Sequence, residues 1–373
     1  MQITVMVEPA FQHSFWCRQT LEGIFAEAKR KKYALRFADG ASYAQADYDA
    51  LLSGGPRQLI LVGTSVSWIP DVLRVLEKHQ VRTILINYDS FARPSVHSVV
   101  RMDYVNAMQR LLGYFYHYGR ERVALFGFNP NSSADCIKAQ FFTAVLHARG
   151  DAEPQRHIFH NDGDLSACFN RFLSYAAAYD ALICANDLVA VSALGQLQRA
   201  GIAVPEQLFL AGFGESILAQ RSRPSITTAT LDHAEMGRQA VMLCAYMQRQ
   251  RAQVTASIRV ESRLAVREST QNLPDEAPPL TEPEGEGAAS IDFYRDPQVQ
   301  RLLDMEAFLF SLDSLDLDIL TLLEKNVPLE AIAERCQSST STVGYRIRNM
   351  QARAGVATRQ ALLERVAQTL GRG

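Results

Sequence analysis

Over the first 270 residues, short apolar runs alternate with longer stretches whose apolar positions recur at helical spacing. Ile3–Val7, Leu59–Val62, Thr83–Asn87, Val123–Phe126, Ala181–Cys184 and Leu208–Ala211 read as buried strands. Between and after them, helices are predicted over Phe15–Lys31, Pro70–His79, Ala139–Ala148, Leu188–Ala200 and Ala234–Arg249. Strands alternating with helices of this length predict parallel βαβ units with helices on both sheet faces. This much α/β pattern exceeds one comfortable sheet, so two similar lobes are expected.

The pattern stops near residue 272. The stretch PDEAPPLTEPEGEGAAS at 274–290 holds four prolines, two glycines and five acidic residues, with Leu280 its one large aliphatic side chain. Such a segment buries too little apolar surface to offset its ordering entropy and reads as a self-repelling linker. Beyond it only helical patterns appear, at Gln298–Phe310, Asp316–Glu324, Leu329–Cys336, Ser339–Ala354 and Thr358–Leu370. The expected division is 1–272, a linker over 273–296, and an all-α unit over 297–373.

Composition adds exclusions. The 373 residues are 47% hydrophobic and 21% charged, which fits a globular chain rather than a disordered or fibrous one. Six scattered cysteines without a CxxC pair fit reduced thiols, and no 18-residue apolar run or apolar leader is present, so a cytoplasmic location is expected. The net charge of −2 hides two opposed segments: 275–306 holds nine acids against two arginines, while 338–373 holds six arginines against one acid.

That basic end has the arrangement of a groove-reading helix. A very short turn separates Leu329–Cys336 from Ser339–Ala354, with Ser339 placed to cap the second helix. At about 100° per residue, Val343, Ile347, Met350 and Ala354 form one inward seam. Gly344, Tyr345, Arg348 and Ala352 face outward, and Arg346 and Arg353 share a flank. An apolar seam, a mixed outer face and basic flanks suit base edges and phosphates, although a solvated helix would share the charge alone. Ile332-Ala333-Glu334-Arg335-Cys336, Ser339-Thr340-Ser341-Thr342-Val343 and Arg353-Ala354-Gly355-Val356 resemble the LuxR-type helix-turn-helix. The resemblance implies base contacts from Gly344, Tyr345 and Arg348 and backbone contacts from Thr342, Arg346 and Arg353. It departs at Arg346 (histidine in the family), Arg353 (lysine) and Asn326 (glycine).

In the α/β part, Cys184-Ala185-Asn186-Asp187-Leu188-Val189-Ala190, Gly201…Val204-Pro205, Leu210-Ala211-Gly212-Phe213, Pro224…Thr227-Thr228 and Glu235-Met236-Gly237 follow in order. The series resembles the effector domain of the LacI/GalR family, and the order of domains is similar to xylose-operon regulators, with the reader placed last. The resemblance implies two Rossmann-like lobes of a periplasmic-binding-protein-like fold, about 1–120 with 230–252 and 121–229 with 253–270. Ligands in such folds sit beyond the carboxyl ends of the strands. The expected cleft residues there are Phe11, Phe15 and Trp16 for stacking, and Thr64, Ser65, Asp89, Asp103, Lys138, Asn186 and Glu215 as polar groups. Core packing and helix capping use the same residue types.

Three positions depart from that family: its cleft arginine aligns with Ile137 beside Lys138, its GFDD-like motif is Gly212-Phe213-Gly214-Glu215, and a polar position is Leu231. Such changes suit a different or less polar ligand, or a cleft that has lost ligand binding. No phosphate loop, nucleophile elbow or dinucleotide fingerprint occurs, so no enzyme and no cofactor is expected. His157, His160 and Asp162 lie close in sequence, but the two histidines would fall on opposite faces of a strand, so no metal is expected. The expected protein is a dimeric regulator that binds duplex DNA and a sugar-like effector and is not membrane-bound. An adaptor whose C-terminal helices bind protein is the alternative.

Overall fold

The computed structural model describes residues 2–12, 14–38, 58–88, 97–161, 163–249, 254–276 and 297–369. The chain forms two compact units, residues 1–283 and 284–373. No helix among the described residues is long and apolar enough to cross a membrane.

The first unit contains two six-stranded sheets among its described residues. The first lobe is built on β1 (Gln2–Val7), β2 (Ala34–Ala38), β3 (Gln58–Val62), β4 (Arg82–Ile86), β5 (Ser98–Met102) and β11 (Ser257–Val260), in the order β11-β5-β4-β3-β1-β2. Helices α1 (Phe15–Lys31), α2 (Trp68–Lys78) and α8 (His233–Arg249) cover it. The second lobe uses β6 (Val123–Phe128), β7 (Ile158–His160), β8 (Ala181–Cys184), β9 (Phe209–Phe213), β10 (Thr227–Ala229) and β12 (Leu264–Ala265), in the order β12-β10-β9-β8-β6-β7. Around it lie α3 (Tyr104–His117), α4 (Ser133–Ala148), α5 (Leu165–Leu173), α6 (Asp187–Arg199) and α7 (Ile217–Arg221). Every named strand pair is parallel except β10 with β12.

Two lobe boundaries differ from the expectation. The crossing to the second lobe comes near Asp103 rather than residue 120, because Ala107, Met108, Leu111, Leu112, Tyr114 and Phe115 bury the apolar face of α3 in the second core. Residues 257–260 return to the first lobe, pairing Ser257 with Val99 and Val260 with Met102. Neither assignment follows from local pattern, since a helix or strand of either lobe looks the same in sequence.

The motif glycine Gly237 has a packing reason. Helices α1 and α8 cross so closely that a Cβ on Gly237 would lie 2.1 Å from the Thr20 carbonyl oxygen, and one on Gly23 would lie 1.9 Å from that of Ala234. Both obstacles are backbone and cannot rotate away. Gly237→Ala is therefore expected to force the helices apart and cost roughly 1–3 kcal/mol, read as a lower urea midpoint by fluorescence of Trp16 on α1. An unchanged midpoint would show that the crossing has slack.

The second unit is helical: α9 (Pro297–Phe310), α10 (Ser314–Glu324), α11 (Leu329–Arg335), α12 (Thr340–Arg353) and α13 (Arg359–Thr369). Ile319, Leu323, Ile332, Val343, Met350 and Leu362 lie at its centre.

Candidate functional site

Parallel sheets direct their carboxyl-end loops toward the space between the lobes, so each polar residue there is fixed by the strand before it. In the first lobe, Glu8 follows β1 with its carboxylate buried, accepting the amides of Thr64 at 2.9 Å and Ser65 at 3.2 Å. Thr64 and Ser65 follow β3 and are themselves buried. Asn87 follows β4, and its Oδ1 accepts the Tyr104 hydroxyl at 2.5 Å. Burial pushes that phenol's pKa up, so it stays a neutral donor.

The second lobe contributes the loop after β6 and the start of α4. Ser132 caps α4 and meets Thr64 Oγ1 at 3.4 Å. Lys138 is 3% exposed. Its Nζ donates to the Ala185 carbonyl at 2.6 Å and pairs with Asp135 Oδ1 at 2.8 Å. The same ammonium lies 4.4 Å from the ring centroid of Phe213, 5.2 Å from that of Phe128 and 5.5 Å from that of Tyr104. Its neighbour Ile137 turns the other way and packs into the first lobe's core with Ala134. The two neighbours thus face different surroundings, Ile137 the first lobe's core and Lys138 the aromatic rings and Asp135 around its ammonium.

The remaining expected cleft residues are less concentrated. Asp103 and Asn186 act as N-caps, accepting the amides of Asn106 and Val189. Phe11 and Trp16 pack on each other with centroids 5.9 Å apart, while Phe15 is 39% exposed. Glu215 pairs through Oε1 with Arg267, and its Oε2 is buried with no hydrogen-bond partner. Gly214, where the family has an acid, holds φ +130°, a backbone that strains a side chain. Leu231 packs against both lobe cores. Asp89 and Asp162 lie outside the described residues. His157 bonds to Asp151 and to Tyr179, and among the described residues no cluster suits a metal ion.

Sequence reasoning missed Glu8, Tyr104, Ser132 and Asp187. Asp187 opens α6, is buried, and accepts the Ser216 amide and the Thr228 hydroxyl; burial raises its pKa. Its position directly after Asn186 was the available signal. Glu8 had none beyond following a strand.

In the helical unit, Ser339 accepts the Thr342 amide at 3.1 Å and starts α12. Val343, Ile347, Met350 and Ala354 are all buried, as the wheel requires. Tyr345 is 60% exposed; Arg348 and Thr342 are also exposed, and the Arg348 guanidinium lies over Gly344. Asn326 takes the left-handed conformation, φ +54°, which asparagine and glycine adopt more readily than other residues. Arg346, expected at the DNA backbone, makes ion pairs within the unit. It donates to both carboxylate oxygens of Asp313, at 3.0 and 2.8 Å, and to Asp316 at 2.7 Å, tying α12 to the start of α10. These bonds hold the Asp313 carboxyl below its usual pKa and raise that of the guanidinium. Arg353 donates to the Ser311 carbonyl at 2.6 Å while remaining exposed.

The comparisons agree with the architecture. A family model described as a periplasmic binding protein-like domain matches residues 112–270. The HTH-type transcriptional repressor CytR of Escherichia coli (strain K12) is 23% identical over 263 residues, covering 69% of this chain and 76% of the repressor. A transcriptional regulator CelR–cellobiose complex superposes with a TM-score of 0.64 at 19% identity, covering 72% of this chain and 84% of that one. A LacI family transcriptional regulator from Silicibacter pomeroyi gives 0.60 at 18% identity, over 73% of this chain and 100% of that one.

Two outcomes test the electrostatics of the two units. Burial lowers the pKa of His233, at the start of α8, to about 4. Between about pH 6.5 and 4 the unfolded imidazole takes a proton that the folded one refuses, so stability falls as pH falls, by up to roughly 3 kcal/mol. Urea midpoints followed by fluorescence of Trp16, whose ring lies 6.4 Å from His233, should show this, and His233→Gln should flatten it. In the helical unit, Arg346→Met should lower the thermal midpoint by circular dichroism. Arg346→Lys should restore only part, since one ammonium cannot fork across two carboxylates.

The described residues between 2 and 276 form a two-lobed periplasmic-binding-protein-like fold, similar to that of solved LacI family transcriptional regulators.

Proposed function

We propose that this chain is a DNA-binding transcriptional regulator and not an enzyme, with a sensor in residues 1–272 and a LuxR-type reader in residues 297–373. The observation that carries the reading is α12: a capped helix, seated by a buried seam, that leaves Thr342, Tyr345 and Arg348 facing solvent. Side chains so presented can reach base edges in a major groove, and Arg353 stands on the flank where a phosphate backbone would pass. Similarity to the repressor CytR supports the regulatory role. A domain order like that of xylose-operon regulators supports placing the reader last.

The cleft is the site for a small-molecule effector, and the cellobiose in the CelR complex supports a sugar-like compound. Effector binding acts by shifting the balance between lobe arrangements, which a homodimer converts into a change in the fit of two readers to half-sites about one helical turn apart. A coupling of roughly 1–3 kcal/mol between cleft and reader gives a 5–150-fold change in DNA affinity. The cytoplasm is where such a protein works.

Selection of duplexes from a random pool by the full chain tests the reading. Enrichment of a defined motif is expected, and Arg348→Ala should relax preference at one base position at a cost of roughly 1–3 kcal/mol. Retention of random duplex at no more than background, even at low salt, would instead support the protein-binding alternative.

A further inference from the structure

We propose that the cleft carries its own ligand: the Lys138 ammonium, set in a cage contributed by both sides, latches the lobes together with no effector bound. This deepens the sensor reading by assigning how its cleft is regulated. The cage combines polar and aromatic groups. Asp135 and the Ala185 carbonyl take up the charge, and the faces of Phe128, Phe213 and Tyr104 surround it. Rings with negative faces attract a cation most strongly where water is excluded, as it is around a side chain this deeply buried.

Tyr104 makes this arrangement a latch rather than a local ion pair. Asp135, Ala185, Phe128 and Phe213 all belong to the second lobe. Tyr104 stands at the crossing, with its ring in the first lobe's core and its hydroxyl on Asn87 of that lobe. The lysine therefore touches a group that is fixed to the opposite side. Ile137 adds an apolar plug, entering the first core from the same turn of α4.

The loops beside the cage are joined directly. Ser65 and Ser132 form an antiparallel bridge. The Val66 amide donates to the Asn131 carbonyl at 2.9 Å, and the Ser133 amide donates to the Thr64 carbonyl at 2.8 Å. The Ser67 amide adds a bond to Asn131 Oδ1 at 3.0 Å. These are bonds between lobes, so they break whenever the lobes part. An effector entering here has to displace or recruit Lys138, which makes the lysine the control point of the cleft.

Amide hydrogen exchange on the full chain, with no ligand added, reads the latch. Val66 and Ser133 should be protected in the wild type. Lys138→Met, which keeps the length and apolar stem, should speed their exchange roughly tenfold or more while Leu182 and Ile183 in β8 stay unchanged. Unprotected Val66 and Ser133 in the wild type, or unchanged rates in Lys138→Met, would overturn the proposal. If Lys138→Met also loosens β8, Tyr104→Leu decides, since it leaves every second-lobe partner of the lysine in place. Faster exchange confined to the cleft loops supports the latch, and unchanged exchange refutes it. DNA selection plays no part in this measurement, so its failure would leave the regulatory reading untouched, and the reverse holds too.

Discussion

Moving an ammonium out of water costs several kcal/mol unless other groups replace the lost hydration. Lys138 meets that demand with a carboxylate, a carbonyl and three aromatic faces. The demand constrains much of the first unit. Asp135 must sit one turn before the lysine, β8 must end where Ala185 can offer its oxygen, and β9 must end on Phe213. Tyr104 must stay neutral at the crossing, which its burial ensures.

Elsewhere backbone proximity sets the tolerances. The crossing of α1 and α8 leaves no room for two β-carbons, so Gly23 and Gly237 fix how closely the first lobe's helices approach. The same helix pair positions Trp16 against His233, with ring centroids 6.4 Å apart.

The helical unit uses charge differently. Its arginines look alike in sequence, yet Arg346 is spent on Asp313 and Asp316 while Arg348 is left exposed. The acids opening α10 lie about thirty residues before the arginine they hold, and only folding brings them together. The helix therefore carries arginines in different settings: Arg346 and Arg353 bond to residues 311–316, while Arg348 stands exposed. The exposed set on α12 is smaller than the sequence suggests, and Tyr345 and Arg348 gain weight within it.

Periodicity located much of the architecture. It placed Phe15–Lys31 and Ala181–Cys184 at the bounds the structure shows, along with the inward seam of α12, because burial of an apolar face leaves a local, repeating mark on the chain. Motif order pointed to two lobes, Ser65 was legible as a strand-end polar group, and Lys138 as the neighbour of the position aligned with the family's arginine. Tertiary structure alone decided which lobe owns α3 and β11, that Ile137 rather than Lys138 enters the first core, and that Glu8 bonds to the loop after β3 and Tyr104 to Asn87. It also decided which arginine of α12 bonds to the start of α10 and which stands exposed. Those outcomes depend on contacts between residues tens to hundreds of positions apart, and a pairing at that separation leaves no periodic trace in a single sequence.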